Sequence, residues 1–290
     1  RRMSLVLAKS EAAILAFDIV QGLQEYLVRK LTGLHGEDGK SRFHSIDWLR
    51  AQGEFGGGNR FVALEDSLFN RASVNISQVQ YENDSSKKLN SATALSTIIH
   101  PQNPFAPSMH MHISWTEMKG GDGYWRIMAD LNPSLPSEVQ KKAFETALQG
   151  ATGELYRDGK AQGERYFFIP ALGRHRGVAH YYLEEFRGRD KTGDREFAKR
   201  FGLMVSDAYG EIVREALAKH KTVTAANRKD QLAYHSLYFL QVLPLDRGTP
   251  SGLLVHAEND AGILASLPSH VAQKLLASWL PKLPDLQAEL

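Results

Sequence analysis

Between about Arg60 and Leu131 the chain carries five short runs rich in Val, Ile, Thr, Trp and Tyr, near 60–66, 73–82, 94–100, 108–118 and 123–131. Runs of that length and composition, separated by turn residues, read as β-strands. Five in succession with no intervening helix predict an antiparallel meander, because parallel neighbours need crossover connections of a dozen residues or more. Around this block the periodicity changes to that of helices. Ile14, Leu15, Phe17, Leu23, Leu27 and Leu31 give an amphipathic helix over 11–31, with Gly33 as its stop. Ser137-Glu-Val-Gln140 is a capping-box pattern opening a helix to about Tyr156. Phe197, Phe201, Met204, Val205, Tyr209, Ile212, Val213 and Leu217 mark a second long helix. A further strand is expected over 177–183, two more near 235–244 and 251–257, and a last helix from Ser269. The fold class is α+β: one large antiparallel sheet of about seven strands sandwiched between layers of helices. No linker, repeat or low-complexity segment divides the chain, so residues 1–290 read as a single domain.

The fourth of the five runs carries the densest chemistry. His100, His110 and His112 fall within thirteen residues along one hairpin. Met109, Met111, Ile113 and Trp115 alternate with His110, His112 and Ser114, so both imidazoles share a face, about 7 Å apart. The connection Pro101-Gln-Asn-Pro-Phe-Ala-Pro107 is long for a hairpin; its prolines fix the loop and can return His100 to His110. His110, His112 and Glu117 have the H-x-H-x4-E spacing of a metal site. Against that stands the reading of two hydrogen-bonded histidines on a half-buried strand.

Other candidates are weaker when taken singly. Gly56-Gly-Gly58 precedes a strand and not a helix, which argues against a phosphate-binding loop. It reads as a flexible surface loop, or as a segment that lets backbone approach a ligand with Arg60 supplying positive charge. Asp130, at the end of an apolar run, is either a turn cap or a polar group held for a ligand. Arg174-His-Arg176-Gly177 offers two guanidiniums suited to carboxylates, and Asp246-Arg-Gly-Thr249 reads as a hairpin turn.

Composition closes off several classes. With no cysteine there is no disulfide, thiolate nucleophile or thiolate-ligated zinc or iron. A formal charge of +2 gives no argument for nucleic acid as a partner. No apolar run is long enough to span a membrane, and no secretory segment follows Arg1-Arg-Met3. A cytoplasmic protein is the expectation.

In order, these pieces resemble the oxygen-dependent coproporphyrinogen III oxidases of haem biosynthesis, from about Gly56 to Pro268. The resemblance rests on the glycine run before Arg60, Ala72-Ser-Val-Asn-Ile-Ser77, Ile98-Ile-His-Pro-Gln-Asn-Pro-Phe105 and Pro107-Ser-Met-His-Met111. It continues in Ala129-Asp-Leu-Asn-Pro133, Tyr166-Phe-Phe-Ile169, Arg176-Gly177, Asp246-Arg-Gly-Thr249 and Ser266-Leu-Pro268. It implies oxidative decarboxylation of two propionates of a reduced tetrapyrrole to vinyl groups, with oxygen as co-substrate and no organic cofactor. By the same resemblance Asp130 holds the pyrrole N–H groups, His110 moves a proton, and Arg176, Ser96 and Arg60 contact substrate. His100 and His110 are the positions for a divalent metal, which is compatible with the reaction and not demanded by it. The assembly implied is a homodimer.

The chain departs from the family pattern near the site. Arg126, Ile127 and Met128 stand where the family runs glycines, His112 and Ser114 where it has Asn and Arg, and Glu145 where it has His. Leu240 and Val242 replace a carboxylate and an amide in the expected penultimate strand. Losing a bidentate partner for a substrate carboxylate costs about 2–4 kcal/mol. Two alternatives therefore stand beside the family reaction: a paralogue that binds or acts on another tetrapyrrole or small acidic ligand, and a metal-dependent oxygenase using His110, His112 and Glu117.

Overall fold

The computed structural model describes residues 5–34, 43–188, 190–242 and 266–282. The chain opens with helix α1 (Glu11–Thr32), capped by the Ser10 hydroxyl, which accepts from the Ala13 N–H, and closed at Gly33. Strands β1 (His44–Leu49), β2 (Gly56–Ala63), β3 (Phe69–Gln80), β4 (Leu89–Pro101), β5 (Ser108–Met118) and β6 (Tyr124–Asn132) follow without a helix between them. Helices α2 (Glu138–Thr152) and α3 (Tyr156–Tyr166) lead to a small ribbon of β7 (Phe168–Ile169) and β8 (Arg174–His175), then to β9 (Ala179–Phe186). Helices α4 (Lys191–Lys219), α5 (Ala225–Leu240) and α6 (Gln273–Trp279) complete the described chain. The main sheet has seven strands in the order β1-β2-β3-β4-β5-β6-β9, every pair antiparallel. No described helix is long and apolar enough to cross a membrane.

Period-two alternation gives this sheet two unlike faces. One is apolar: Val74, Ile76, Leu95, Ile99, Met109, Met111, Ile113, Ile127, Ala129 and Tyr181 are buried there against α1, α2 and α4. α1 supplies Val20, Leu23, Leu27 and Leu31 at three- and four-residue spacing, each at most 1% exposed. Each such side chain contributes about 1.5–3 kcal/mol by leaving water, so this face holds the sheet together. The other face carries most of the polar side chains, and α5 lies over part of it, with Tyr234 and Tyr238 packed on Ile98.

Three expectations need correction. No strand forms over 235–242, the described part of the stretch expected as one: residues up to Leu240 belong to α5, capped by Thr224 and Asn227 in reciprocal hydrogen bonds. Gln231, Tyr234, His235 and Tyr238 recur at helical spacing and are buried together, and this outweighs the short apolar run 237–240 that suggested a strand. The seventh strand is instead β1, which the sequence reading passed over because most of its residues are exposed. Gly56–Gly58 is no surface loop but the start of β2; a Cβ on Gly58 would lie 2.9 Å from the Trp48 ring across the strand pair. The expected strand over 251–257 and the Asp246–Thr249 turn lie outside the described residues.

Candidate active site

Strand register brings the chemistry-bearing side chains together. His110 on β5 is paired with Asp130 on β6, and Asp130 in turn with His180 on β9. One step along, Arg60, Asn75, Ser96, His112, Met128 and Tyr182 form a continuous transverse row over β2, β3, β4, β5, β6 and β9. A third row contains Ser77, Ala94, Ser114 and Arg126. Because antiparallel partners directly opposite each other share a face, Arg60, Ser96, His100, His110 and Asp130 all lie on the polar face, and Arg176 reaches it from the turn before β9.

Asp130 is the centre of this arrangement. It is fully buried. His180 Nδ1 lies 2.6 Å from Oδ1, and the Arg176 guanidinium donates to Oδ2 at 3.2 Å while its Nε donates to Asn132 Oδ1 at 3.0 Å. Burial alone would raise the carboxyl's pKa; His180 first, then Arg176 and His110, outweigh it and hold the group down to about 2. Burial opposes the charge on His180 too, yet Asp130 raises its pKa above the ordinary value. Arg176 stacks its guanidinium on Tyr238, 4.8 Å from the ring centroid. Asp130 is thus neither a turn cap nor a solvated acid, but an ionised carboxylate in a buried charge triad.

Gly177 is required by space here. A Cβ at that position would fall 2.6 Å from Asp130 Oδ1, from Asn132 Oδ1 and from the Leu131 carbonyl. Gly177→Ala must push the carboxylate or the strand aside. We expect it to lower activity at least tenfold and stability by about 1–3 kcal/mol, read by steady-state rates and urea denaturation.

The imidazoles differ in their surroundings. His100 is buried, with Nδ1 2.9 Å from Ser108 Oγ and its ring edge-on to Tyr238 at 4.5 Å. Burial, then the nearby His235 and Arg176, push its pKa well below the ordinary value. His112 Nδ1 is 2.8 Å from Ser96 Oγ, so the two form one cross-strand pair; burial, then His110 and Arg126, bring His112 down to about 3. His110 is half-buried beside Asp130, its ring edge-on to Phe167 at 6.2 Å. Arg60 is 5% exposed, and burial lowers its pKa.

The metal site drawn from His110, His112 and Glu117 does not assemble. Glu117 is an odd number of residues from both histidines, and its Oε2 accepts from the hydroxyls of Ser10 and Ser91 at 2.7 and 2.8 Å, at the start of α1. Alternation along β5 sends it to the opposite face of the sheet. Glu145 is likewise remote, paired with Lys160 at 2.7 Å. The sequence reading missed His180, Asn132 and Tyr238. Alternation in β9 was the signal available for His180, which shares a face with Tyr182.

The coproporphyrinogen III oxidase family model matches residues 16–279. Among curated proteins, an oxygen-dependent coproporphyrinogen-III oxidase of Prochlorococcus marinus (strain MIT 9312) is 28% identical over 288 residues, covering 86% of this chain and 80% of the relative. The mitochondrial oxygen-dependent coproporphyrinogen-III oxidase of Rattus norvegicus is 28% identical over 269 residues, 83% of this chain and 58% of that one. The Dictyostelium discoideum protein of the same description is 31% identical over 189 residues, 61% and 54% of the two chains. The matches thus span little more than half the length of the rat and Dictyostelium proteins.

Proposed function

The chain belongs to the coproporphyrinogen III oxidase family, and from that premise we propose that it catalyses the oxygen-dependent oxidative decarboxylation of coproporphyrinogen III. Each turnover of one propionate forms a vinyl group: the carboxyl leaves as carbon dioxide, and two electrons and two protons pass to oxygen, giving hydrogen peroxide. The observation that carries the reading is Asp130, a buried carboxylate held by Arg176 and His180 on a sheet face that also carries the Arg60 and Arg126 guanidiniums and the His100, His110 and His112 imidazoles. A porphyrinogen presents the complementary pattern, with N–H donors at its centre and carboxylates at its rim.

In this reading Asp130 accepts from pyrrole N–H groups and stabilises the positive charge that develops as the ring gives up electrons. Its lone pairs are only partly used by His180 and Arg176, so it has acceptor capacity left. His110, its cross-strand neighbour, is placed to move a proton. Arg60 and Arg176 anchor propionates, and the Ser96–His112 pair contacts the macrocycle. Burial of the triad keeps water from screening these charges. No organic cofactor enters the scheme. His100 and His110 lie on one face two residues apart in register, which suits a shared divalent ion that the chemistry above does not call on. The protein acts as a single domain, a homodimer located in the cytoplasm.

The test is anaerobic incubation of metal-stripped protein with coproporphyrinogen III, then oxygen, then chromatography of the oxidised porphyrins. Protoporphyrin above a no-enzyme control is the expected product. Absence of product from folded protein overturns the proposal; if the tetrapyrrole still binds, the paralogue reading takes its place.

A further inference from the structure

One member of the charge triad, His180, also belongs to a second group of side chains, whose other two members, Glu164 and His175, have no part in the proposed reaction. Glu164 in the last turn of α3, His175 in β8 and His180 in β9 each bring one ligand-type atom within 4.8 Å of the others, the only such group of three among the described residues. They arise from three elements that the short α3–β7–β8–β9 connection folds back on itself.

The geometry around His180 is that of a prepared ligand. Its side chain is 2% exposed, and its ring is stacked between Phe167, at 5.4 Å and 24°, and His175, at 4.6 Å and 26°. Asp130 takes up Nδ1 at 2.6 Å, which leaves Nε2 as the atom His180 can offer once an incoming metal displaces its proton. A carboxylate on the far nitrogen of a histidine fixes the tautomer, aims the ring and raises the basicity of the ligating nitrogen, the usual outer arrangement of a metal-bound imidazole. His175 Nε2 donates to the Glu164 carbonyl oxygen at 2.8 Å and lies 3.2 Å from Glu164 Oε2, so a metal taking Nε2 replaces that proton and its hydrogen bond. The His175 and Glu164 side chains are 28% and 41% exposed, so an ion can enter from solvent and water can fill its remaining positions.

We propose that Glu164, His175 and His180 bind one first-row divalent transition metal, with Asp130 as the outer carboxylate that orients His180. Two imidazoles and a carboxylate with open positions suit Fe(II), Mn(II), Co(II) or Zn(II), and exclude a site built for calcium or magnesium, which take oxygen ligands. Bonds of about 2.0–2.2 Å require the ligand atoms to close to roughly 3 Å of one another, within reach of rotation about the partly exposed Glu164 and His175 side chains. The competing account is a plain ion pair between protonated His175 and Glu164. Arg176 adds like charge nearby and works against a cation, but Asp130 neutralises it at 3.2 Å. The site is distinct from the His100 and His110 position, and it shares Asp130 with the reaction proposed above.

The experiment is titration of the chelator-treated protein with Zn(II) by calorimetry and with Co(II) by visible absorption, which reports the ligand set directly. One equivalent is expected at this site, counted apart from any ion at His100 and His110, with His175→Ala and Glu164→Ala each weakening its affinity by at least tenfold and Asp130→Asn by about 10–100-fold. His110→Ala is expected to leave affinity unchanged. No saturable binding, or affinity in His175→Ala and Glu164→Ala equal to that of the unsubstituted protein, overturns the proposal. Porphyrin product is measured on the same metal-free and metal-loaded samples, so failure of the site and failure of the reaction are separately visible.

Discussion

Asp130→Ala is expected to remove porphyrin product and to lower the unfolding free energy by about 3–5 kcal/mol, a loss measurable by urea denaturation. The magnitude follows from what remains. With the carboxylate gone, Arg176 and His180 keep side-chain exposures of 5% and 2% but lose the charge that compensates their burial. Solvent screening, which makes exposed ion pairs nearly worthless, offers little relief at such sites. His180 can shed its proton; Arg176 cannot, and retains Asn132 and the Tyr238 ring as its contacts. Asp130→Asn separates the two effects. It keeps the volume and one acceptor, so the fold survives at a temperature where activity can be read, while the charge facing the substrate is lost. An unchanged unfolding midpoint in Asp130→Ala would show that the triad does not carry its charge in the native protein. Full activity in Asp130→Asn would remove the carboxylate from the reaction.

Much of this architecture is legible in the sequence, because the meander and its alternation are local properties. Met109, Met111 and Ile113 alternating with His110, His112 and Ser114 assign one face of β5 to the core and the other to the site, and the structure keeps both assignments. What alternation cannot supply is register between strands. Ser114 and Arg126 read as two separate departures, an arginine missing from one strand and one added to the next. They are direct cross-strand partners, so the guanidinium occupies the same part of the face from the other side. Arg126 Nε is buried there with no hydrogen-bond partner. Of the three residues that replace glycines, Ile127 points into the helix-facing core, and only Arg126 and Met128 alter the site.

The helix α5 was misread for a different physical reason. A four-residue apolar run satisfies strand and helix templates alike, and only the wider spacing of Gln231, Tyr234 and Tyr238 decides between them. That error moved Leu240 and Val242 into a strand where no strand forms. It also hid the way His100 meets Tyr234, His235 and Tyr238, all supplied by α5.

Three histidines, two on the polar face and His235 on the helix that covers it, are expected to make stability fall with acid. His100, His112 and His235 are all held below the ordinary imidazole value of 6.5, burial being the largest cause for each, His112 at about 3 and His235 at about 4. In the unfolded chain they take up protons near 6.5, whereas in the native protein they stay neutral until far lower pH. The unfolded state therefore binds more protons across this window, and stability drops as pH falls from about 6.5 towards 4. The neighbours do not reverse the sign. Glu65 opposes the shift at His235 but His270 reinforces it, and at His112 both His110 and Arg126 add to burial. His180 is raised by Asp130, so its contribution is complete below 6.5 and flat over the window; Asp130 itself, held at about 2, contributes until pH nears 4. Each displaced imidazole is worth up to ~1.4 kcal/mol per pH unit, so urea denaturation at pH 5 against pH 6.5 is expected to show a loss on the order of 3–5 kcal/mol. His112→Asn is expected to flatten the slope by about one proton, because the amide does not titrate while it can still meet Ser96. Equal stability at the two pH values would mean that these imidazoles charge in the native state, and that burial does not hold them neutral.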